Sequence, residues 1–470
     1  MKRDACTWVK ALISAAAVTF LLTAGWSQNN PIPLPRLILL RPLPGFDSSE
    51  ALSVSANDLN GLIVVGNSFR GDTQNPRQQQ RAVYWKIAGN NSQVFALDSP
   101  VPNADFSAAF DVSANGKLAV GFVRIIVQTE QGPRPVLRAV RWTVGSTGST
   151  GTELPVPPGT ENTVAFAISA AGDVVAGRAG AFTPGNFGDF LGGILDRGSA
   201  VRWEITSSGI ISRVLLGRAG ADRTAAAAVS DAGSILAGAS GTEGNLVAVV
   251  WECDNNRPRV LAEGAPNFVQ STVLDCSPYG AAFVGISFND TQNYIASYWT
   301  GEGQFAQLTS TAPSLARRIS GNGLEIVGQI GTPTEGRAYL WRFRNGRVEE
   351  IDLNTLVLRP IRVTLETAFG ISPNGRFIVG RAREESVVIG SDGSPTIRVR
   401  RLGFLLDRGC PLNGDVNRDG VVDDVDLQRV LFALGGRGYT NEDTNWDGIV
   451  DDLDLSAVLF NWDRICPPSP

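Results

Sequence analysis

The chain has 470 residues, 43% of them hydrophobic, with 52 Gly, 26 Pro and a formal net charge of −5. It is too apolar and aromatic for a disordered chain and lacks the basic excess of a nucleic-acid binder. Its glycine-punctuated Val/Ile/Ala runs favour strands and turns over long helices. No histidine occurs, which excludes Ser-His-Asp and Cys-His nucleophile activation and the usual zinc ligand sets.

At the N-terminus, Lys2, Arg3 and Lys10 flank or precede an apolar run from Ala11 to Ala24, followed by small or polar residues at Gly25 to Gln28. This pattern predicts a signal peptide over 1–27, cleaved between Ala24 and Gln28. The apolar run is too short to span a bilayer comfortably, and no later segment is long enough. An uncleaved membrane anchor is the alternative. A secreted or cell-surface location follows. Cys6 leaves with the signal, and the even remainder of Cys253, Cys276, Cys410 and Cys466 favours disulfides in an exported chain. Cys410 and Cys466 bracket an acidic segment and are paired here, a closure stabilising by roughly 4 kcal/mol on the chain-entropy model. Cys253 with Cys276 is then left by elimination.

Residues 28–407 carry an internal repeat. Its first signature is an apolar residue, Ser, a turn, and an apolar run ending in Gly. It spans Val54-Ser55 to Gly66, Val112-Ser113 to Gly121, Ile168-Ser169 to Gly177 and Val229-Ser230 to Gly238. It recurs from Cys276-Ser277 to Gly285, Ile319-Ser320 to Gly328 and Ile371-Ser372 to Gly380. β-branched flanks around a Ser-x-x-Gly turn predict a hairpin; the first turn is lengthened around Asp58. The second signature is Ala, two residues, Trp: Ala82/Trp85, Ala139/Trp142, Ala200/Trp203, Ala248/Trp251, Ala296/Trp299 and Ala338/Trp341, so six of the ten Trp share one repeat position. The seventh unit has Gly403 and Leu406 there. A further apolar strand closes each unit, as in Val94 to Leu97 and Val348 to Ile351.

Four short strands per unit, seven times, predict a mainly β fold with a seven-bladed β-propeller, the Trp set packing between neighbouring blades. Unit seven runs into the acidic segment without its last strand, and Leu37-Ile38-Leu39-Leu40 are positioned to supply it and lock the ring. An open β-solenoid is the competing architecture. The repeats resemble extracellular HAF-type repeats over about 47–406, with units that read Ala-x-x-Ile-Ser-x-x-Gly-x-x-Val-Gly and then Ala-x-x-Trp. That resemblance implies an exported protein and no defined catalytic residues. The longest stretches between the two signatures, about 67–80, 122–137, 178–199 and 381–400, would project on one face as a site for a glycan or protein. Among them, Phe182, Phe187 and Phe190 suit a lid on the rim, and Arg70, Arg77 and Arg81 suit solvated loops or an acidic partner.

Residues 408–470 form the second domain, a small α module of two loop-helix units. Its first loop places Asp415, Asn417, Asp419, Val421, Asp423 and Asp426 at positions one, three, five, seven, nine and twelve, with Gly420 at six. The second places Asp443, Asn445, Asp447, Ile449, Asp451 and Asp454 identically, with Gly448 at six. Alternating oxygen side chains in a tight loop, with a backbone carbonyl at seven, suit the six to eight oxygen ligands of Ca²⁺. Val422 and Val450 are predicted to pair the loops. Each loop is followed by an apolar helix face, Leu427/Val430/Leu431/Leu434 and Leu455/Val458/Leu459/Trp462, with Gly435 at a helix end. From Pro411 to Cys466 twelve acids stand against four bases, so the acidity is concentrated here.

This module resembles the dockerin family over about 411–464: duplicated calcium loops without the incoming helix of an ordinary EF-hand. The resemblance implies two bound Ca²⁺ ions and a cohesin-like partner. Contacts in that family often include small hydroxyl residues at loop places ten and eleven, which here hold Asp424-Val425 and Asp452-Leu453. The favoured function is therefore a secreted, non-catalytic binding or scaffold protein. The alternatives are a carbohydrate-active enzyme, an O-glycosyl hydrolase or lyase using carboxylates, or an accessory subunit docked in polysaccharide catabolism, and a structural cell-envelope protein. Catalysis would need two carboxylates facing one cleft, and Asp189, Glu302 and Glu335 do not pair by sequence.

Overall fold

The computed structural model describes residues 35–466 apart from 57–60, 71–78, 90, 131, 181–195, 253–254, 262–263, 290–292, 333–334, 345, 358–361, 390–393 and 439. Twenty-eight strands form seven antiparallel four-stranded sheets. Blades one to six cover 48–96, 104–153, 163–214, 223–260, 270–307 and 314–352 in chain order, each running from the axis outward. Blade seven takes three strands from 363–407 and its fourth from β1 (Arg36–Leu40). β1 pairs antiparallel with Pro395–Asp407, from Arg36 opposite Asp407 to Leu40 opposite Gly403. The ring is closed by the N-terminal strand, as the short seventh unit predicts, and the open solenoid is ruled out.

The repeat signatures have local causes. In every blade the signature Ser turns its Oγ back to accept from the backbone N–H opening the second strand, from Ser55 with Ile63 to Ser372 with Phe377, at 3.0–3.1 Å. The Gly ending the signature sits where a Cβ would strike a first-strand carbonyl, that of Ala108 for Gly121 and Thr272 for Gly285. There the first strand bulges in each blade, as between Ala109 and Asp111 or Val273 and Asp275. The close approach leaves no room for any side chain.

The second signature joins blades. Trp85, Trp142, Trp203, Trp251, Trp299 and Trp341 are all fully buried. Four of them donate their indole N–H to the segment trailing the preceding blade: Trp85 to Arg41, Trp142 to Asp98, Trp203 to Pro155 and Trp251 to Leu216, at 2.8–2.9 Å. The Ala three residues earlier leaves space for the next blade, whose first strand supplies a hydroxyl to its N–H: Ser107 for Ala82, Thr163 for Ala139, Ser271 for Ala248 and Ser314 for Ala296. Gly403 plays that part for blade seven, donating to Ser49 of blade one at 3.0 Å.

The axis is filled. The residues left over at the seven bulges are Leu52, Phe110, Phe166, Ala227, Leu274, Arg317 and Phe369. Phe110, Phe166, Ala227 and Leu274 share one buried cluster that also draws on blade six, with Leu52 packed against it. The Arg317 guanidinium lies over the Phe369 ring at 5.2 Å. Among the described residues no helix is long and apolar enough to cross a membrane.

The C-terminal module has two helices, α1 (Asp424–Ala433) and α2 (Asp452–Phe460), and a disulfide between Cys410 and Cys466. Leu412, Val416, Val422, Val430, Val450 and Val458 form its core. Three expectations need correction. Cys276 carries a free buried thiol, walled among Val273, Phe283 and Trp299; Cys253 falls outside the described residues. Val422 and Val450 do not pair with each other. Val422 bonds the chain after α2, at Asp463 and Arg464, and Val450 bonds the chain after α1, at Gly435 and Gly436. Each loop is thus fastened to the exit of a helix. Finally, Leu434, Leu459 and Trp462 are exposed, because helices of ten and nine residues enclose too small a core to cover a whole apolar face.

Candidate metal centre and its seat on the propeller

The two acidic loops have one internal wiring. Asp423 and Asp451 cap α1 and α2 by accepting from the N–H of Val425 and Leu453, and Asp426 and Asp454 return the bond to the N–H of Asp423 and Asp451. The other oxygen of Asp426 accepts from Val416 and Asn417, and that of Asp454 from Thr444 and Asn445. Position twelve therefore folds the start of each loop onto the start of its helix. Asn417 and Asn445 accept from the N–H of Asp419 and Asp447, which in turn accept from Val421 and Ile449. All twelve predicted ligand positions lie in these two loops.

At position one, Asp415 is 6% exposed; its Oδ2 accepts from Gly420 while its Oδ1 is buried with no hydrogen-bond partner. Burial raises the Asp415 carboxyl to about 6, with Asp426 and Asp419 adding to the rise and the Gly420 N–H opposing it. Asp443 is pushed up to about 7, again by burial first, with the Gly448 N–H opposing and Asp454 adding. Among the described residues no three acidic, His or Cys side chains converge as a ready metal cluster. What fits a hard divalent cation is the donor chemistry: all-oxygen side chains at alternate places, crowded like charges, and an orphaned buried carboxylate oxygen.

The loops, rather than the helices, face the propeller. Position four of each loop is left-handed, Arg418 at φ 60° and Trp446 at φ 55°. Trp446 is 3% exposed and packs among Ala56, Ala114 and Ala170, with its ring edge against Gly321. Those four residues follow the signature Ser of blades one, two, three and six. Their backbones link around one end of the propeller axis: Ala56 N–H to Ala114, Ala114 to Ala170, Ala170 to Asp231 and Gly321 to Pro373. Beneath this ring lies a polar layer. Arg318 donates to Asp111 at 2.9 Å and stands 3.5 Å from Asp275, and Ser53 donates to Asp111 at 2.7 Å. Blades one, two, five and six are thereby tied across the axis. Burial works against the Arg318 charge, but Asp111 and Asp275 outweigh it and hold the guanidinium protonated. Burial raises Asp231 to about 7, with Asp275, Asp111 and, across the interface, Asp443 adding to it.

The connector is pinned nearby. Arg408 donates twice to Glu325 at 2.8 Å and once to Gly375, and Arg342 adds a bond to Glu325 at 3.0 Å. Arg418 bonds Asn441 at 3.1 Å, and Gly438 sits beside the Tyr279 hydroxyl of blade five. A cleft between module and blade seven is lined by Asn374, Asp415, Arg418, Asn441, Thr444 and Trp446.

Other candidates separate. Phe182, Phe187, Phe190, Arg77 and Asp189 lie outside the described residues. Arg70 and Arg81 bond the carbonyls of Gly45 and Ala104. Glu302 stands in the turn between third and fourth strands of blade five, and Glu335 between second and third strands of blade six. Antiparallel blades send those turns to opposite ends of the ring, so the two acids do not share a cleft. Trp446, Arg418 and the Asp111–Arg318–Asp275 layer belong to no motif in the sequence. Their only signal was a shared position: place four in both loops, or two residues before the signature Ser.

No protein-family model matches the chain, and no curated protein matches it. Among solved structures it is similar to a putative TolB from Agrobacterium tumefaciens, with 15% identity, 66% of this chain and 94% of that one covered, and a TM-score of 0.39. It is similar to the β-propeller domain of the Trilobed protease from Pyrococcus furiosus, with 8% identity, coverage of 75% and 95%, and a TM-score of 0.42. A third likeness is to the Dos1 propeller, with 10% identity, coverage of 79% and 95%, and a TM-score of 0.43.

Proposed function

We propose that the chain is an exported, non-catalytic binding propeller whose C-terminal module is a dockerin-like pair of calcium loops. The observation that carries the calcium reading is the buried Asp415 Oδ1, left without a partner in a loop whose remaining donors are all oxygens. A buried, unpaired carboxylate oxygen is costly, and a divalent cation relieves it. Asp415, Asn417, Asp419, Val421, Asp423 and Asp426 would hold one ion, and Asp443, Asn445, Asp447, Ile449, Asp451 and Asp454 the other. The ions supply charge neutralisation and loop order.

Export is supported by the predicted signal and by the Cys410–Cys466 disulfide. A protein partner for the module is supported by its outer surface. Phe432 and Phe460, 82% and 69% exposed, occupy equivalent places on α1 and α2. A cohesin-like domain fits such a paired apolar surface; a glycan or protein on the opposite, loop-bearing face of the propeller is the further binding role.

Titration calorimetry of the full chain with Ca²⁺ tests the reading. Two saturable sites are expected, falling to one with Asp415→Asn or Asp443→Asn and to none with both. Uptake that is unchanged in the double variant, or absent from the parent chain, overturns it.

A further inference from the structure

We propose that the second acidic loop is a cation-dependent clasp, which seats Trp446 on one end of the propeller axis so that ion binding and docking of the module onto the ring are one equilibrium. The proposal rests on the calcium reading above and goes beyond it, because it gives the ion a partner surface inside the same chain.

Two observations carry it. First, Trp446 lies between Asn445 and Asp447, and its backbone is left-handed, a conformation that disfavours a residue with a Cβ. That turn is held by the candidate ligands themselves: Asp443 accepts from the N–H of Asp447 and Gly448, and Asn445 accepts from Asp447. Whatever fixes Asp443, Asn445 and Asp447 also fixes the direction of the indole. Second, the seat is shaped for it. Ala56, Ala114, Ala170 and Gly321 are small, buried or close-packed residues at one repeat position in four blades, and the indole lies on them over the Asp111–Arg318–Asp275 layer. The loop that would hold the ion is the loop whose turn presents the indole to its seat, so docking favours the ion and the ion favours docking.

Binding linkage is reciprocal, so damage to the seat must weaken the ion. The test is calcium titration calorimetry of the full chain, the Trp446→Ala variant and the Gly321→Ala variant. Neither substitution removes a candidate ligand. Gly321→Ala leaves the loop untouched, places a methyl against the indole, and puts at this position the residue that blades one to three already carry. The expected result is that one of the two sites weakens by about tenfold in each variant, within the usual range of coupling between sites, while the other stays as in the parent. As a second readout, acrylamide quenching of the parent, compared with Trp446→Phe, should show the Trp446 signal becoming accessible when calcium is chelated. If the parent binds two ions and both variants bind them equally well, the clasp is wrong and the calcium reading stands. If the parent binds none, both fall. A Trp446 signal equally shielded with and without chelator also overturns the clasp.

Discussion

Asp275 shows how a single carboxyl is governed by its place in the ring. It accepts from the Ile319 N–H at 2.9 Å and faces Arg318, yet burial raises it to about 6. The folded chain therefore keeps a proton there that the unfolded chain, at the ordinary aspartate value of roughly 4, has lost. The sign follows. This group favours the fold fully below about pH 4, and that contribution is lost as the pH climbs through 6. Asp275→Asn removes the titration, so its melting temperature should gain on the parent's between pH 4 and pH 7, measured in parallel melts with chelator present. A constant offset over that range would contradict the assignment. The signature residues around it were legible because their causes are local: a Ser hydroxyl closing its own hairpin, a Gly beneath a bulge. Asp111, Asp275 and Arg318 were not legible, since their partners come from blades far apart in sequence.

At the scale of the element, β1 has the largest consequence for its length. Five residues complete blade seven, and Leu40 enters the core shared with blade one through Ala51, Val54 and Trp85. Ser49 donates to the Leu40 carbonyl at 2.6 Å and accepts from Gly403, so one hydroxyl joins first blade, last blade and closing strand. Deleting residues 36–42 exposes Phe404, Leu405 and Leu406 along an open edge. A loss on the order of 5 kcal/mol in urea unfolding is expected from the apolar surface returned to water. An unchanged midpoint would mean that the ring does not depend on its N-terminal lock. The helices show the opposite case: their caps followed from Asp423 and Asp451, but which apolar residues they bury was decided by the small core they share.

For the whole molecule, the connection between propeller and module is a buried ion network. Glu325 is held below the usual carboxylate range because Arg408 and Arg342 outweigh its burial. Removing one partner of such a pair typically costs about 3–5 kcal/mol. Arg408→Ala should therefore loosen the module from the ring and lower the propeller melt through the unpaired Glu325 of blade six, the loosening seen as faster protease cleavage near 408–412. A cleavage rate equal to the parent's would show that Trp446 and the loops hold the module without the connector.

The sequence by itself determined the repeat, the number of blades, the closing strand and the pattern of oxygen donors, because each depends on residues close in the chain or on a period repeated seven times. Only the tertiary structure decided where the module sits. Position four of each acidic loop is not among the alternating oxygen donors and looks like free space in sequence. Its left-handed backbone, together with four small residues brought around one axis, turns Trp446 into the cap on that end of the propeller.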